Sequence, residues 1–219
     1  MKLLNKANVA MVAAEFLGTA LLVTMFLILI QTTAVSYFIA TSVAVTLAVI
    51  YMVFGSVSGA HVNPAVTFGM WTARKIGAVR GISFVIAQVL GGLCAFELYQ
   101  YLVGHTVVFA AKSNVFDWRV LIAEGVGTAI FVMAYAAVVS RREESLHSAV
   151  TVGAAFFVGI MIAAVAAHGF LNPAVAIGAK SFTTTYMLGP LLGGLVGYNL
   201  YNELFGSGKS WLATAMKKK

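Results

Sequence analysis

The sequence predicts an all-α membrane protein with six transmembrane helices and two re-entrant half-helices, arranged as an inverted tandem repeat. Hydrophobic residues make up 61% of the 219 residues and charged residues only 10%, whereas a soluble domain is about 45–50% apolar. Apolar stretches almost free of charge recur along the whole chain. In addition, two unrelated motifs each occur twice at the same spacing of 109 residues.

Six apolar stretches are long enough to cross a bilayer, which takes about 20 residues in a helix. They cover residues 9–30, 37–55, 79–104, 119–139, 146–167 and 186–206. The first stretch is too long for a cleavable signal peptide, and no clear cleavage site follows it. An even number of crossings places both termini on one side of the membrane.

The positive charges indicate which side that is. If the termini are cytoplasmic, only Lys112, Arg119 and Lys180 of the 14 Lys and Arg residues lie outside. Because basic loops stay in the cytoplasm, we expect both termini to be cytoplasmic and the protein to be integral to the plasma (inner) membrane. Residues 207–219 then form a basic cytoplasmic tail.

Two connections, at 56–78 and 168–186, are too short to cross the bilayer and too apolar for a solvated loop. Such segments fit re-entrant structure, in which irregular backbone enters the membrane only where protein surrounds it. We therefore expect each connection to turn back within the bilayer.

The repeated motifs divide the chain into two copies. Asn63-Pro64-Ala65 recurs as Asn172-Pro173-Ala174, and Glu15 recurs as Glu124, both at an offset of 109. We expect one membrane channel domain over 1–219, with copies at 8–104 and 117–206. Because each copy has three crossings, the second enters from the opposite side, and the substrate path of such inverted repeats lies at their interface.

A third correspondence, Leu90-Gly91-Gly92-Leu93 with Leu192-Gly193-Gly194-Leu195, has an offset of 102. The second copy has therefore lost seven residues between its Asn-Pro-Ala segment and its last crossing.

Each Asn-Pro-Ala segment predicts the start of a short helix, because Asn is a favoured N-cap and Pro a favoured first helical residue. The half-helices, about 63–73 and 172–181, should meet by their N-termini at the centre of the membrane. Each N-terminus carries roughly half a positive charge, so the pair should exclude cations. The amide N–H groups of Asn63 and Asn172 should remain available to a passing solute.

These motifs resemble the aquaporin and aquaglyceroporin (major intrinsic protein) family, over almost the whole chain. The similar segments are 14–19 in the first span, 58–67 around the first Asn-Pro-Ala, 87–91 in the third span and 189–193 in the sixth. The resemblance implies passive transport of water or small neutral solutes through one pore per protomer, in a homotetramer within the lipid bilayer, with no cofactor. We also expect no catalytic residue, metal site or nucleic-acid partner.

The chain departs from the family at one position. Family members usually carry Arg directly after the second Asn-Pro-Ala, where Val175 stands here. The resemblance assigns the other filter positions to Val43, Ile160 and Gly169, so the filter has neither an aromatic nor a charged side chain. We expect a wider apolar filter for glycerol-like molecules. Two other interpretations are that His168 or Lys180 supplies a polar group, or that an apolar ring impedes water by dewetting.

Two carboxylates, Glu15 and Glu124, lie inside apolar spans, where ionisable groups are costly and usually functional. They form either a proton-relay pair or, as the resemblance implies, acceptors for the backbone of the re-entrant loops. Two histidines are possible polar groups of the pore. His61 resembles a loop histidine of the family and either lines the pore, braces the loop or senses pH, and His168 has no familiar counterpart.

The main functional hypothesis is thus a passive channel for water or small uncharged solutes. An ion- or proton-coupled transporter also fits inverted repeats, and a closed structural membrane protein fits the apolar filter. An enzyme is not expected, because no nucleophile–base pair or metal cluster occurs at suitable spacing.

Overall fold

A computed structural model describes residues 5–107, 116–141 and 144–206. Within these residues it contains six long helices and two short ones, which confirms the all-α prediction. The helices are α1 (Lys6–Thr32), α2 (Ser36–Ser58), α3 (Pro64–Thr72), α4 (Ala78–Val103), α5 (Trp118–Arg141), α6 (Ser145–Ala163), α7 (Pro173–Gly178) and α8 (Thr184–Phe205). The tail at 207–219 and the predicted loop charges Lys2, Lys112 and Arg142 lie outside the described residues.

Five of the long helices, α1, α2, α4, α5 and α6, are long and apolar enough to cross a membrane. The helix α8, predicted as the sixth span, is not among them. It contains Pro190 and several glycines, and Asn199, Asn202 and Glu203 lie near its end. Its composition is therefore less apolar than that of the other long helices, although its 22 residues are enough for a crossing.

Local signals in the sequence explain most of the helix ends. The side chain of Asn5 caps α1 by accepting a 2.8 Å hydrogen bond from the Asn8 N–H. The helices α2 and α4 are followed by Gly59 and Gly104, whose φ values of 94° and 74° lie in the left-handed region that glycine favours. The short helix α7 ends at Gly178, three residues before the predicted boundary at 181.

The helices of the two copies pack in corresponding pairs. The helix α1 packs against α2 and α4, and α5 packs against α6 and α8. The short helix α3 packs on α8, and α7 packs on α4, so each short helix contacts the last long helix of the other copy. This crossed packing needs glycine, because a Cβ atom on Gly92 would lie 2.6 Å from the Ala174 carbonyl oxygen and one on Gly194 would meet the Ala65 carbonyl oxygen.

Candidate functional site

Each Asn-Pro-Ala segment forms the first turn of a short helix. The Oδ1 atom of Asn63 accepts a 2.8 Å hydrogen bond from the Ala65 N–H, and Oδ1 of Asn172 accepts one of 2.9 Å from the Ala174 N–H. Pro64 and Pro173 occupy the first helical position, where their missing N–H removes no intrahelical bond. The two helix starts therefore have the same local structure.

The two caps are joined by a crossed pair of hydrogen bonds. Asn63 Nδ2 donates to the Leu171 carbonyl oxygen at 2.9 Å, and Asn172 Nδ2 donates to the Val62 carbonyl oxygen at 2.8 Å. The N-termini of α3 and α7 thus meet in the protein interior. Because each amide carries two N–H groups and one is used in this pair, one N–H of each Asn remains as a possible donor, rather than the two that the sequence suggested.

Glu15 and Glu124 hold the backbone that precedes each cap. Glu124 accepts hydrogen bonds from the N–H groups of Phe170 (3.0 Å) and Leu171 (2.7 Å). Glu15 accepts the equivalent bonds from His61 (3.0 Å) and Val62 (2.7 Å), at positions 109 residues earlier. Both carboxylates are buried. Each therefore supplies acceptors to two backbone N–H groups that no helix satisfies.

These bonds stabilise an unusual backbone conformation. Val62 and Leu171, which the two carboxylates bind, have φ values of 41° and 52°. Positive φ is uncommon for a bulky residue and costs energy unless the surroundings enforce it. The carboxylates are therefore part of what fixes the position of both Asn caps.

The surroundings of the two carboxylates differ. Glu15 also accepts bonds from Ser58 Oγ at 2.6 Å and from Gln88 Nε2 at 2.7 Å. The offset of 102 relates Gln88 to Pro190, which has no such donor. Sequence reasoning singled out neither Ser58 nor Gln88 for this role, because nothing local in the sequence places them beside Glu15.

The structure places all four predicted filter residues in the interior. A Cβ atom on Gly169 would lie 3.0 Å from Ile160 Cγ2, so these two positions are adjacent. Val43, Ile160 and Val175 belong to one buried apolar cluster. Their exposed fractions are 0%, 1% and 0%, so their side chains present almost no surface to water.

Two groups that could have supplied polarity at the filter lie against aromatic rings. The exposed His168 ring stacks on Tyr186 with centroids 5.7 Å apart and lies 5.3 Å from Phe170. The Lys180 Nζ atom lies over the ring of Phe96, 4.2 Å from its centroid. The ammonium group of Lys180 is therefore directed toward α4, which contains Phe96.

His61 is buried, and other side chains surround it. Its Nδ1 atom forms a 3.0 Å hydrogen bond with Thr67 Oγ1, and its ring contacts Phe84 and Tyr135 edge-on with centroids 5.1 Å and 6.0 Å away. The Tyr135 hydroxyl donates a 2.7 Å hydrogen bond to the Gly59 carbonyl oxygen. Sequence reasoning did not single out Tyr135, which fixes the loop before the first Asn-Pro-Ala from the opposite side.

Comparison with known proteins shows the family to which this chain belongs. The family model described as "Major intrinsic protein" matches residues 2–201. The chain belongs to the major intrinsic protein family. It is 34% identical over 161 residues to aquaporin TIP1-2 from Musa acuminata, a stretch that covers 68% of this chain and 64% of that relative.

A bacterial relative and a solved structure extend the comparison. Aquaporin Z from Photorhabdus laumondii is 29% identical over 192 residues, which cover 77% of this chain and 83% of the relative. The structure of the aquaglyceroporin from Plasmodium falciparum superposes with a TM-score of 0.71 over 94% of this chain and 99% of that chain, at 20% identity. The fold is therefore the aquaporin fold.

Family and fold together indicate an integral membrane channel of the kind that passes water or small solutes. Proteins of this family are channels rather than enzymes. The apolar helices agree with that location, because their outward faces carry exposed apolar side chains such as Leu17, Val49, Ile86 and Ile122.

Proposed function

We propose that this protein is a passive transmembrane channel for small uncharged solutes, water and glycerol-like molecules included. In this proposal α8 is the sixth crossing, α3 and α7 are half-helices that enter from opposite sides, and the two copies are inverted. The crossed hydrogen bonds between the Asn caps and the opposite loops carry the proposal, because they require the two helix starts to face each other.

Facing helix starts explain the exclusion of cations. Each start carries roughly half a positive charge from its unpaired N–H groups, and both lie in a buried, low-dielectric region where such charges act strongly. A cation at the centre would meet two positive ends and lose its hydration shell. A neutral solute would meet one free N–H group on each of Asn63 and Asn172 as a hydrogen-bond donor.

The predicted filter residues limit which solutes this channel can select. Val43, Ile160 and Val175 have no hydrogen-bonding side chain and are buried, so a solute at the proposed filter meets only apolar groups. A polar molecule therefore loses hydration at the filter without replacement, which favours solutes with carbon–hydrogen surface over strict selection for water.

The assembly and orientation follow from the same proposal. We place both termini in the cytoplasm, the channel in the plasma (inner) membrane, and four copies in a homotetramer with one pore each. The single domain spans 1–219, with repeats at 8–104 and 117–206. The distribution of Lys and Arg supports the orientation of the termini, and the apolar outward faces of the long helices support a location in a membrane.

Osmotic swelling of proteoliposomes tests the function. Water, glycerol, urea and ammonia are each offered with and without an imposed proton gradient. We expect flux above that of protein-free vesicles and no dependence on the gradient. Flux that requires the gradient would indicate a coupled transporter, and no flux would indicate a structural protein; either result contradicts the proposal.

A further inference from the structure

The repeat offset relates residues at the two ends of the proposed pore. Phe26, Ile160 and Phe170, which we name the outer cluster, correspond at an offset of 109 to Tyr135, Tyr51 and His61, which we name the inner cluster. Ile160 is one of the predicted filter residues. Within the inner cluster, Tyr51 is therefore the counterpart of a filter residue, and the counterparts of the other three filter residues are apolar.

The ring geometry of the two clusters corresponds as well. In the outer cluster the Phe170 ring lies 5.3 Å from Phe26 and 4.8 Å from Tyr186. In the inner cluster the His61 ring lies 6.0 Å from Tyr135 and 5.1 Å from Phe84, the residue that the offset of 102 relates to Tyr186. The same packing thus occurs twice.

The chemistry of the two clusters differs. The three side chains of the outer cluster contain no polar atom. Each side chain of the inner cluster contains one or more: two phenol hydroxyls and an imidazole. The inner cluster therefore has hydrogen-bonding groups at the positions where the outer cluster has none.

The inner cluster also brings together two helices whose main packing lies elsewhere. The helix α2 packs on α1 and α6, and α5 packs on α6 and α8. Tyr51 of α2 and Tyr135 of α5 meet edge-on with ring centroids 6.2 Å apart. The two rings therefore form a contact between α2 and α5, on the side that we propose is cytoplasmic.

The hydrogen bonds within the cluster fix its side chains and leave capacity for a solute. The Tyr135 hydroxyl donates to Gly59, so its oxygen retains lone pairs that can accept. The Tyr51 hydroxyl bonds to Ser148. His61 uses Nδ1 for Thr67, which leaves Nε2 as its second ring nitrogen.

We propose that the inner cluster, and not the outer filter, is the polar selectivity element of this channel, and that it recognises small uncharged solutes bearing hydroxyl groups. The inference rests on the proposed channel function. The outer filter then acts as an apolar barrier to all polar solutes, and discrimination between them arises where Tyr51, His61 and Tyr135 offer replacement hydrogen bonds.

The substitution Tyr135→Phe tests this by removing one hydroxyl and keeping the ring. With glycerol as the probe, we expect its permeability in proteoliposomes to fall about two- to tenfold, the effect of one lost hydrogen bond. Water should be affected less, because neighbouring waters in single file can replace the lost partner, so the glycerol-to-water ratio falls. The matched control is Tyr186→Phe, which removes a hydroxyl beside the outer cluster and should leave the ratio unchanged.

A second variant, Tyr51→Phe, keeps the test valid if Tyr135→Phe reconstitutes poorly, and it should lower the ratio in the same direction. Permeabilities are normalised to the amount of channel in the vesicles. The assignment would be overturned if the wild-type channel conducts but the glycerol-to-water ratio is unchanged in both inner variants. It would also be overturned if the ratio changes only in Tyr186→Phe. A wild-type protein that passes neither water nor glycerol would overturn the proposed function itself.

Discussion

Substitution of Glu124 by Gln gives the most direct measure of how the re-entrant loops are held. The carboxylate accepts one hydrogen bond on each oxygen, from the N–H groups of Phe170 and Leu171. The amide of Gln has one oxygen and one NH2 group, so one loop N–H would lose its acceptor and face another donor. An unsatisfied buried donor costs about 1–3 kcal/mol.

This cost converts into a shift that is easy to observe. At about 2–4 °C per kcal/mol for a chain of this size, Glu124→Gln should lower the apparent unfolding temperature in detergent by about 2–12 °C. Tryptophan fluorescence during a thermal ramp provides the assay.

The matched control for this change is Glu97→Gln. Glu97 is exposed on α4, and within the described part of the chain its carboxylate accepts one bond, of 3.3 Å, from Gln100 Nε2, so its replacement should shift stability by no more than about 0.5 kcal/mol. Equal unfolding temperatures for the two variants would refute the bracing role of Glu124. A change confined to proton-gradient dependence would instead support the proton-relay interpretation.

Three further predictions concern the pore and the crossed helix packing. Val175→Arg should narrow the filter and lower glycerol permeability relative to water in stopped-flow light scattering; an unchanged ratio in a folded variant would contradict the filter assignment. Asn63→Asp adds a negative charge where two positive helix ends meet, so potassium efflux from loaded vesicles should rise above wild type, and equal efflux would argue against the central field. Gly194→Ala places a Cβ atom against the Ala65 carbonyl oxygen and should lower the unfolding temperature, whereas Gly81→Ala inside α4, whose new Cβ atom would lie 3.7 Å from its nearest neighbour, should not.

The sequence was sufficient for the fold class because its signals are periodic and repeated. Charge-free stretches mark the long helices, and the common offset relates one half of the chain to the other. Helix starts with an Asn cap and a following Pro were located within one residue, since cap chemistry is local. The end of α7 was harder to predict, because helix ends depend on packing. The assignment of α8 as a crossing was also harder, because its glycines weaken the hydropathy signal.

The site was predictable only where its residues lie in a motif. Asn63 and Asn172 stand out in the sequence, but the bonds from their side chains to Leu171 and Val62 join residues 108 and 110 positions apart and require the folded chain. Tyr135 lies in an ordinary apolar helix, and nothing local in the sequence relates it to Gly59, the residue that its hydroxyl binds. Lys180 appeared available as a filter cation until the structure placed it over Phe96.

In the proposed channel, the absence of Arg at position 175 leaves the filter without a charged side chain. Val43, Ile160 and Val175 can exclude by size and by cost of dehydration, but they cannot distinguish solutes by hydrogen bonding. Under this proposal, cation exclusion depends on the facing helix starts alone. A filter arginine would combine cation exclusion with solute selection. In this protein the two effects should be separable, because the helix starts exclude cations and the filter acts on neutral solutes.

One measurement on wild-type protein tests the central claim that facing helix starts admit neutral solutes and exclude cations. Proteoliposomes containing an internal pH-sensitive dye are exposed to a glycerol gradient and, separately, to a pH step, and swelling and internal pH are followed in the same preparation. We predict glycerol entry well above protein-free vesicles, with internal pH changing no faster than in those vesicles. Rapid proton entry alongside glycerol, or no glycerol entry at all, would contradict the claim.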